Sequence, residues 1–518
     1  MSRFVAGIDA GTTGTTVMIA DLHGRVMGSG YREYSCKYPR AGWVEQDMNV
    51  IWQAICEASS QALSSSRVDV QQIGSLGFSS QRGTFVGIDK DWNCLHDSIV
   101  WSDSRAGGQT QWLKENYSPD RYYELSGLPL AGNWSYAKFK WVRDHRPDVY
   151  EKAWKFVNGQ EWFLHKLGSE ELFTDPSSLT NNGMMEISKL DWSKELLELI
   201  DFQADKLPPV KEPMRQVGKI SRQAAEQTGF APGMPICVGG GDHQCAAVGA
   251  GVIREGISEI TIGTGSVMVA HADRFKPDPD HAVLFGGHAI PRTWDMEGIA
   301  LSTGSCLRWW RDVYGQSERA AAGALELDAY DLIGLEASRA PVGCKGYIFF
   351  PFFAGQSAPY YHDDARGGSI GLSHIHDRGM MARAIMEGVA YELRMIVDAM
   401  ERVLGRPFDT IRLSGGGAKS PLWCEIQADV YGRPVEQLEV PECTTLGAAI
   451  LGAVGAGVFQ DVGEAVEQMV HPKGMIEPKE FNSKMYDDLF GCFRDAFLAL
   501  RDARIYENLR KVTSKYWG

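Results

Sequence analysis

No apolar run in this chain reaches the about 18 residues that a membrane-spanning helix requires. The opening Met-Ser-Arg-Phe-Val-Ala-Gly has no long apolar stretch behind its basic residue, so a cytoplasmic protein without a membrane partner is expected. Positive charge is also short: 52 Lys and Arg stand against 66 Asp and Glu, a formal net charge of −14. That balance argues against a nucleic-acid partner, which needs clustered cations to neutralise phosphates. It leaves room for a small anionic ligand, because backbone N–H groups receive phosphate locally. The ten cysteines include no C-x-x-C pair, and several, such as Cys237 and Cys306, sit in apolar settings and are read as buried reduced thiols. There is no G-x-x-x-x-G-K-[ST] loop and no Val-Ala-Ile-Lys with His-Arg-Asp, which excludes two large nucleotide-binding classes.

What is present is glycine, concentrated with hydroxyls in three turns. They are Gly7-Ile-Asp-Ala-Gly-Thr-Thr-Gly-Thr-Thr16, Thr261-Ile-Gly-Thr-Gly-Ser266 and Leu413-Ser-Gly-Gly-Gly-Ala-Lys-Ser420. Each follows or completes a short apolar run that reads as a strand. Glycine lets the backbone approach a ligand and adopt positive φ, while hydroxyls and exposed N–H groups offer donors to phosphate oxygens. Three such turns, spread over most of a 518-residue chain, point to one nucleotide held between two halves.

The length is too great for one core and predicts two large domains or about three smaller ones. Residues 4–8, 16–20 and 26–34 read as a β-meander, 50–64 as a helix with Ile51, Ile55, Ala58 and Ala62 on one face, and 73–78 as a buried strand. Residues 108–230 read as mostly helical, their scattered tryptophans as core. A strand then runs into Gly239-Gly-Gly-Asp242, followed by a small-residue helix at 246–252 and a domain boundary near 254–256. The second half repeats the theme, with strands at 257–262, 267–271 and 410–413 and helices at 380–403, 421–431 and 446–454. The last sixty residues read as helices capping the second domain. Two similar α/β domains, 1–253 and 254–518, would face each other across a cleft, where ligands usually sit.

Asp9, in the first turn, has two readings: a carboxylate associated with Mg²⁺, or a side chain that only bonds its own turn. Asp242 is sharper. A carboxylate behind three glycines at a strand end is held rigidly at a cleft edge, suited to taking a proton from a hydroxyl that attacks phosphorus. Its alternative is a helix N-cap, for which three glycines are excessive. His243 is read as a hydrogen-bonding wall residue rather than a metal ligand, and Gln244 as a partner for a substrate hydroxyl. Gln81, Arg82, Trp101 and Asp103 form a polar and aromatic cluster; on the residues alone, a solvated strand end beside a core tryptophan is preferred. Gly415 to Gly417 and Ser420 would admit a flat base, or simply make a strand–helix turn.

At this point the chain resembles the FGGY carbohydrate kinases, within the sugar kinase, heat-shock protein and actin superfamily. The resemblance rests on Asp9-Ala-Gly-Thr-Thr, Gly240-Gly-Asp242, Gly263-Thr-Gly265, Ser302-Thr-Gly-Ser305, Ser414-Gly-Gly-Gly-Ala418 and Thr445-Leu-Gly-Ala-Ala449, in that order. It implies two ribonuclease H-like (actin-like ATPase) domains flanking a deep cleft, with ATP and Mg²⁺ transferring phosphate to a sugar or polyol hydroxyl. By the same resemblance, Asp242 matches the catalytic base and Asp9, with Asp242, the metal site. Gly11, Thr12 and Thr13 match the phosphate loop, while Gly263, Thr264, Gly265, Gly304, Arg308, Gly416, Gly417 and Ser420 match further nucleotide contacts. Gln81, Arg82, Trp101, Asn133, Asp242 and Gln244 match the sugar side. Gln81-Arg82 resembles the glycerol kinase pair, but Gly83 replaces the following Glu and Asn133 a tyrosine, which weakens a glycerol assignment. Segments 42–47, 99–105 and 353–359 resemble the xylulose and gluconate side of the family, and 281–312 the autoinducer kinases. The expectation is an ATP-dependent kinase of a ketopentose such as xylulose, with Gly83 leaving room for a substrate larger than glycerol. Another polyol kinase or an autoinducer kinase is the alternative. A homodimer is common among similar proteins. A non-catalytic nucleotide sensor is the rival class, and Asp242 argues against it.

Overall fold

The computed structural model describes residues 3–517. The predicted meander forms β1 (Phe4–Ala10), β2 (Gly14–Asp21) and β3 (Val26–Glu33), all antiparallel. β4 (Ile73–Ser80) runs parallel to β1; β5 (Gln216–Lys219) is the edge strand beyond β6 (Pro235–Gly241), which lies parallel to β4. The sheet order is β5-β6-β4-β1-β2-β3.

A second sheet repeats this plan with β7 (Ile257–Ile262), β8 (Ser266–Ala272), β9 (Leu284–Gly287), β10 (Trp294–Ala300), β11 (Thr410–Ser414), β12 (Val435–Leu438) and β13 (Pro472–Ile476). Its order is β9-β10-β8-β7-β11-β12-β13. In each sheet three antiparallel strands are followed by two parallel ones, so β7, β8, β10, β11 and β12 correspond to β1, β2, β3, β4 and β6. The repeated Gly/Thr turn therefore occupies the same first corner twice, after β1 and after β7.

α1 (Met48–Ser66) covers the first sheet with Ile51, Ile55, Ala58 and Ala62 buried, and Asp47 caps it by accepting from the Asn49 N–H. The small-residue helix differs from its predicted bounds: α2 is Asp242–Gly249, four residues earlier. Gly241 in extended conformation supplies the cap geometry, so the polar Asp-His-Gln forms the first turn, which an apolar pattern cannot mark. Asp242 is thus the first helical residue, not the N-cap. α3 (Gly304–Val313), α4 (Arg378–Leu404), α5 (Pro421–Tyr431) and α6 (Cys443–Gly455) follow in the second half. The expected all-helical tail contains β13, whose exposed edge lacks apolar alternation, before α7 (Glu480–Asp502) buries Tyr486, Phe490, Phe493 and Phe497 in the second core.

α6 crosses the expected division of the chain: it packs on β1, β4 and β6 of the first sheet and against α2. The crossing depends on glycine. A Cβ on Gly447 would lie 1.8 Å from the Cys245 carbonyl oxygen, and one on Gly249 1.9 Å from that of Cys443. All ten cysteines are free thiols; six are buried as expected, three half-buried and Cys492 exposed. Of the middle-segment tryptophans read as core, Trp134, Trp141 and Trp162 are buried, while Trp112, Trp154 and Trp192 are half-buried at its margin.

Candidate active site

The first corner is tied together by side chains. Asp9, at the end of β1, accepts a hydrogen bond from Ser79 Oγ on β4 (3.0 Å). Burial, and after it the Asp242 carboxylate, pushes Asp9 up to about pKa 7. Thr12 is a hub: its hydroxyl donates to Gln81 Oε1 (3.0 Å) and accepts from Trp101 Nε1 (3.0 Å), and its carbonyl accepts from Gln46 Nε2 (2.6 Å). Gln81 Nε2 closes the ring on Gln46 Oε1 (2.8 Å). Gln81 and Trp101, expected on the sugar side, therefore brace the Gly11–Thr13 turn. Thr13 stays exposed, while Gly11 is fixed through its carbonyl by the Tyr34 hydroxyl (2.6 Å).

The second corner is stapled to α3. Gly304 N–H donates to the Gly263 carbonyl (2.9 Å), and the Thr303 and Ser305 N–H groups to that of Thr264 (both 3.0 Å). A Cβ on Gly304 would sit 2.3 Å from the Gly263 oxygen, so this contact admits only glycine. Arg308 Nη2 reaches Thr264 Oγ1 at 3.4 Å. At the third corner Gly415 has φ +75°, and Ser420 caps α5 through the Trp423 N–H. Of the two freedoms glycine permits at these turns, positive φ is not used by Gly11, Gly263, Gly265, Gly416 or Gly417. Close backbone approach, not left-handed conformation, explains glycine at Gly304 and Gly265. Gly304, Gly416, Gly417 and Ser420 line a cavity of about 780 Å³ together with Leu335 and Tyr330, a volume suited to a small ligand.

Between these corners lies a buried ionic cluster joining the halves. Arg82 donates through Nε to Asp242 Oδ1 (3.2 Å), and through Nη1 and Nη2 to the two oxygens of Glu297 on β10 (2.6 and 2.8 Å). His243 Nδ1 lies 2.7 Å from Glu297 Oε2 and also contacts the Arg82 guanidinium. Gln244 Nε2 donates to Asp295 Oδ2 (2.8 Å) and Glu297 Oε1 (3.0 Å). Burial alone would raise Glu297, but Arg82 and His243 hold it well below the usual carboxylate range; burial and then Glu297 raise Asp295 well above it. The Asp242 side chain keeps 26 % of its surface exposed, against 1 % for Arg82 and Glu297. It is the accessible carboxylate of the group.

Gln244, expected to meet substrate, is fully buried in this cluster. Asn133 is exposed, and its carbonyl and that of Trp101 both accept from the buried Lys138 Nζ (3.0 and 2.5 Å). The preferred reading, a solvated strand end beside a core tryptophan, is reversed: Asp103 is buried and pairs with Arg105, while Trp101 is exposed. Gly83 does not leave free space: its φ is +68°, and a Cβ there would meet Asn181 Cβ at 3.1 Å and Ser135 Oγ at 3.3 Å. Sequence reasoning missed Gln46, Lys138, Asp295 and Glu297. The last two were detectable: acids two apart in an apolar strand lie on one face and call for a buried partner.

A duplicated ribonuclease H-like architecture, three glycine corners and an accessible carboxylate between them define a two-domain sugar kinase fold. Family comparison makes this specific. Residues 4–249 match the N-terminal domain model of the FGGY family of carbohydrate kinases and residues 259–456 its C-terminal domain model, and the chain belongs to that family. It is 32 % identical to an autoinducer-2 kinase of Enterobacter sp. (strain 638) over 94 % of this chain and 92 % of the relative. A xylulose kinase of Bacillus subtilis (strain 168) is 27 % identical over 96 % and 98 %, and a glycerol kinase of Thermococcus kodakarensis 30 % over 96 % and 97 %. The ligand-bound xylulose kinase structure from Lactobacillus acidophilus has a TM-score of 0.87 at 24 % identity, covering 96 % of this chain and 98 % of that one, which shows the shared fold. The protein is a phosphotransferase that phosphorylates a carbohydrate with ATP. Among the described residues, no helix is long and apolar enough to cross a membrane.

Proposed function

We propose that the carbohydrate is a ketopentose of the xylulose type and that Asp242 is the general base. The placement of Asp242 carries the base assignment, and the sugar class is supported by the likeness to a xylulose kinase along nearly the whole chain. Asp242 is the first residue of α2, held by Arg82, with its carboxylate still partly exposed. In that role Asp242 accepts the hydroxyl proton as the sugar oxygen attacks the γ-phosphorus, and the bond from phosphorus to the β,γ-bridging oxygen breaks to release ADP. The corners at Gly11–Thr13, Gly263–Gly265 and Gly416–Ser420, with Gly304 and Arg308, hold the nucleotide, its base in the cavity beside Gly416 and Gly417. Arg82, Trp101 and Asn133 line the sugar side, with Gln81 and Gln244 acting from behind.

Asp9 and Asp242 suit Mg²⁺: both are oxygen donors, and the Asp242 carboxylate adds to the burial that disfavours ionisation of Asp9. No group of three or more His, Cys, Asp or Glu that could hold a metal exists among the described residues, so the ion would rely on these carboxylates plus substrate phosphates. When bound there, Mg²⁺ neutralises phosphate charge. We assign the division of the chain to 253/254, and the working state to a cytoplasmic homodimer.

The test is ADP release across xylulose, ribulose, gluconate, glycerol and erythritol, plus an autoinducer-2-type substrate. Xylulose as the best acceptor supports the reading, whereas glycerol or the autoinducer as the best acceptor replaces it. Asp242→Asn should lower sugar phosphorylation by about 10²–10⁴-fold while ATP still binds. Retained turnover rejects the base.

A further inference from the structure

The ionic cluster is built from both halves of the molecule, and its geometry assigns a task to a residue that never faces the substrate. Glu297 stands on β10 of the second sheet; Arg82 follows β4 of the first, and Asp242 opens α2. Arg82 has no conformational freedom of its own. Its side chain is 1 % exposed, and Glu297 grips both terminal nitrogens in a two-point fork at 2.6 and 2.8 Å. A fork of that kind fixes the plane of the guanidinium as well as its position. The remaining nitrogen, Nε, then points at Asp242 Oδ1, 3.2 Å away. His243 and Gln244, the next two residues of α2, also bond Glu297, at 2.7 and 3.0 Å. Glu297 therefore holds both the guanidinium that contacts Asp242 and the first helical turn that carries it.

We propose that Glu297 is a positioning residue: acting through Arg82, it aligns the Asp242 carboxylate, so that alignment exists only while β10 of the second domain rests on α2 of the first. This rests on the reading of Asp242 as the base. Approach of the two domains would then do more than exclude water, because it completes the support of the reacting carboxylate. Separation of β10 from α2 leaves Arg82 without its fork and free to turn its full charge onto Asp242. Phosphate transfer to bulk water in the separated state would lack an aligned base by the same geometry.

Two measurements test this, one free of any assumption about the sugar. In the ligand-free protein, urea unfolding is followed for Glu297→Gln, Arg82→Met and the double variant. Each single change takes from one buried charge its two-point partner, leaving Arg82 with Asp242 or Glu297 with His243 and Gln244, and the double change removes both charges, so the double variant should unfold at a higher urea concentration than either single variant. A double variant that is no more stable than the weaker single variant overturns the coupling. In the kinase assay, with the best acceptor of the panel and MgATP, Glu297→Gln should lower kcat at least tenfold with KM for ATP within twofold. Adding Glu297→Gln to Arg82→Met should then cost less than twofold more. A tenfold further loss, or an unchanged kcat in Glu297→Gln, overturns the positioning role. Glu297→Asp, which keeps the charge on a shorter arm, should recover part of kcat, and no recovery relative to Gln counts against it. If Asp242→Asn keeps its turnover, the base reading fails separately, whatever the Glu297 variants do.

Discussion

Adding one methyl group at Gly447 should separate two helices that lie in backbone contact. Gly447 sits in the interior of α6, where alanine would ordinarily favour the helix by about 0.8–1 kcal/mol. Here its Cβ would lie 1.8 Å from the Cys245 carbonyl oxygen, 2.7 Å from that carbonyl carbon and 2.8 Å from the Gly249 nitrogen. All three obstacles are backbone atoms of α2, so no side chain can swing away. Reaching ordinary contact requires the helices to part by roughly 1.6 Å, which the close-packed interior resists. Overpacking costs about 1–3 kcal/mol, and a rigid obstacle belongs at the upper end, so the net loss after the helix gain is about 2 kcal/mol. Gly323, in the helix Gln316–Leu325, is the matched control: it is exposed, and nothing lies within 4 Å of its Cβ position. Gly323→Ala should stabilise by about 0.5–1 kcal/mol. Urea unfolding monitored by tryptophan fluorescence orders the three proteins: Gly447→Ala lowest, the parent next, Gly323→Ala highest. If Gly447→Ala unfolds at or above the parent's midpoint, the account of the crossing is wrong.

The same reasoning applies at the Gly263–Gly304 corner, where we place the nucleotide. Gly304→Ala places a methyl 2.3 Å from the Gly263 oxygen and should weaken ATP binding about tenfold or more, measured by titration calorimetry. An unchanged affinity would separate that staple from the nucleotide site. Lys138 yields a pH prediction. Burial lowers it from its usual 10.5 to about pKa 7, so between those values the unfolded chain binds a proton that the folded chain does not. Folding then gains stability as pH rises from 7 toward 10, and loses it as pH falls. Lys138→Met should abolish that gain, so the parent should become more stable relative to the variant between pH 7 and 10. A difference constant across that range would remove the assignment.

Much of the architecture was legible because its signals are local. Short runs closed by turn residues marked β1 to β3, the spacing of Ile51, Ile55, Ala58 and Ala62 marked α1, and strand-then-glycine punctuation marked the three corners. Elements that obey no apolar rhythm escaped: β13, exposed along its length, and the polar first turn of α2. Asp9, Asp242 and Gly304 were picked out as candidates because each sits on a local motif, and their roles are those of the proposal above. The site was not legible where partners come from distant chain. Glu297 is 215 residues from Arg82, and Gln46 35 from Gln81, separations at which no spacing rule applies. The room expected beside Gly83 failed for the same reason, since Asn181 and Ser135 fill it from elsewhere in the sequence.

The placement of α6 also bears on how the polypeptide matures as it leaves the ribosome. The face of the first sheet around Gly7 and Gly77 is covered by backbone at Thr445 and Ala448, so its lid is synthesised several hundred residues after the strands it shields. The amino-terminal half emerges with that apolar surface bare and must wait for translation to near its end. A nascent chain stalled at residue 253 should accordingly bind a hydrophobic dye or a holdase chaperone, and one extended past 455 should shed it. On this reading the two halves mature together, and splitting the gene at its apparent midpoint yields an unfinished product.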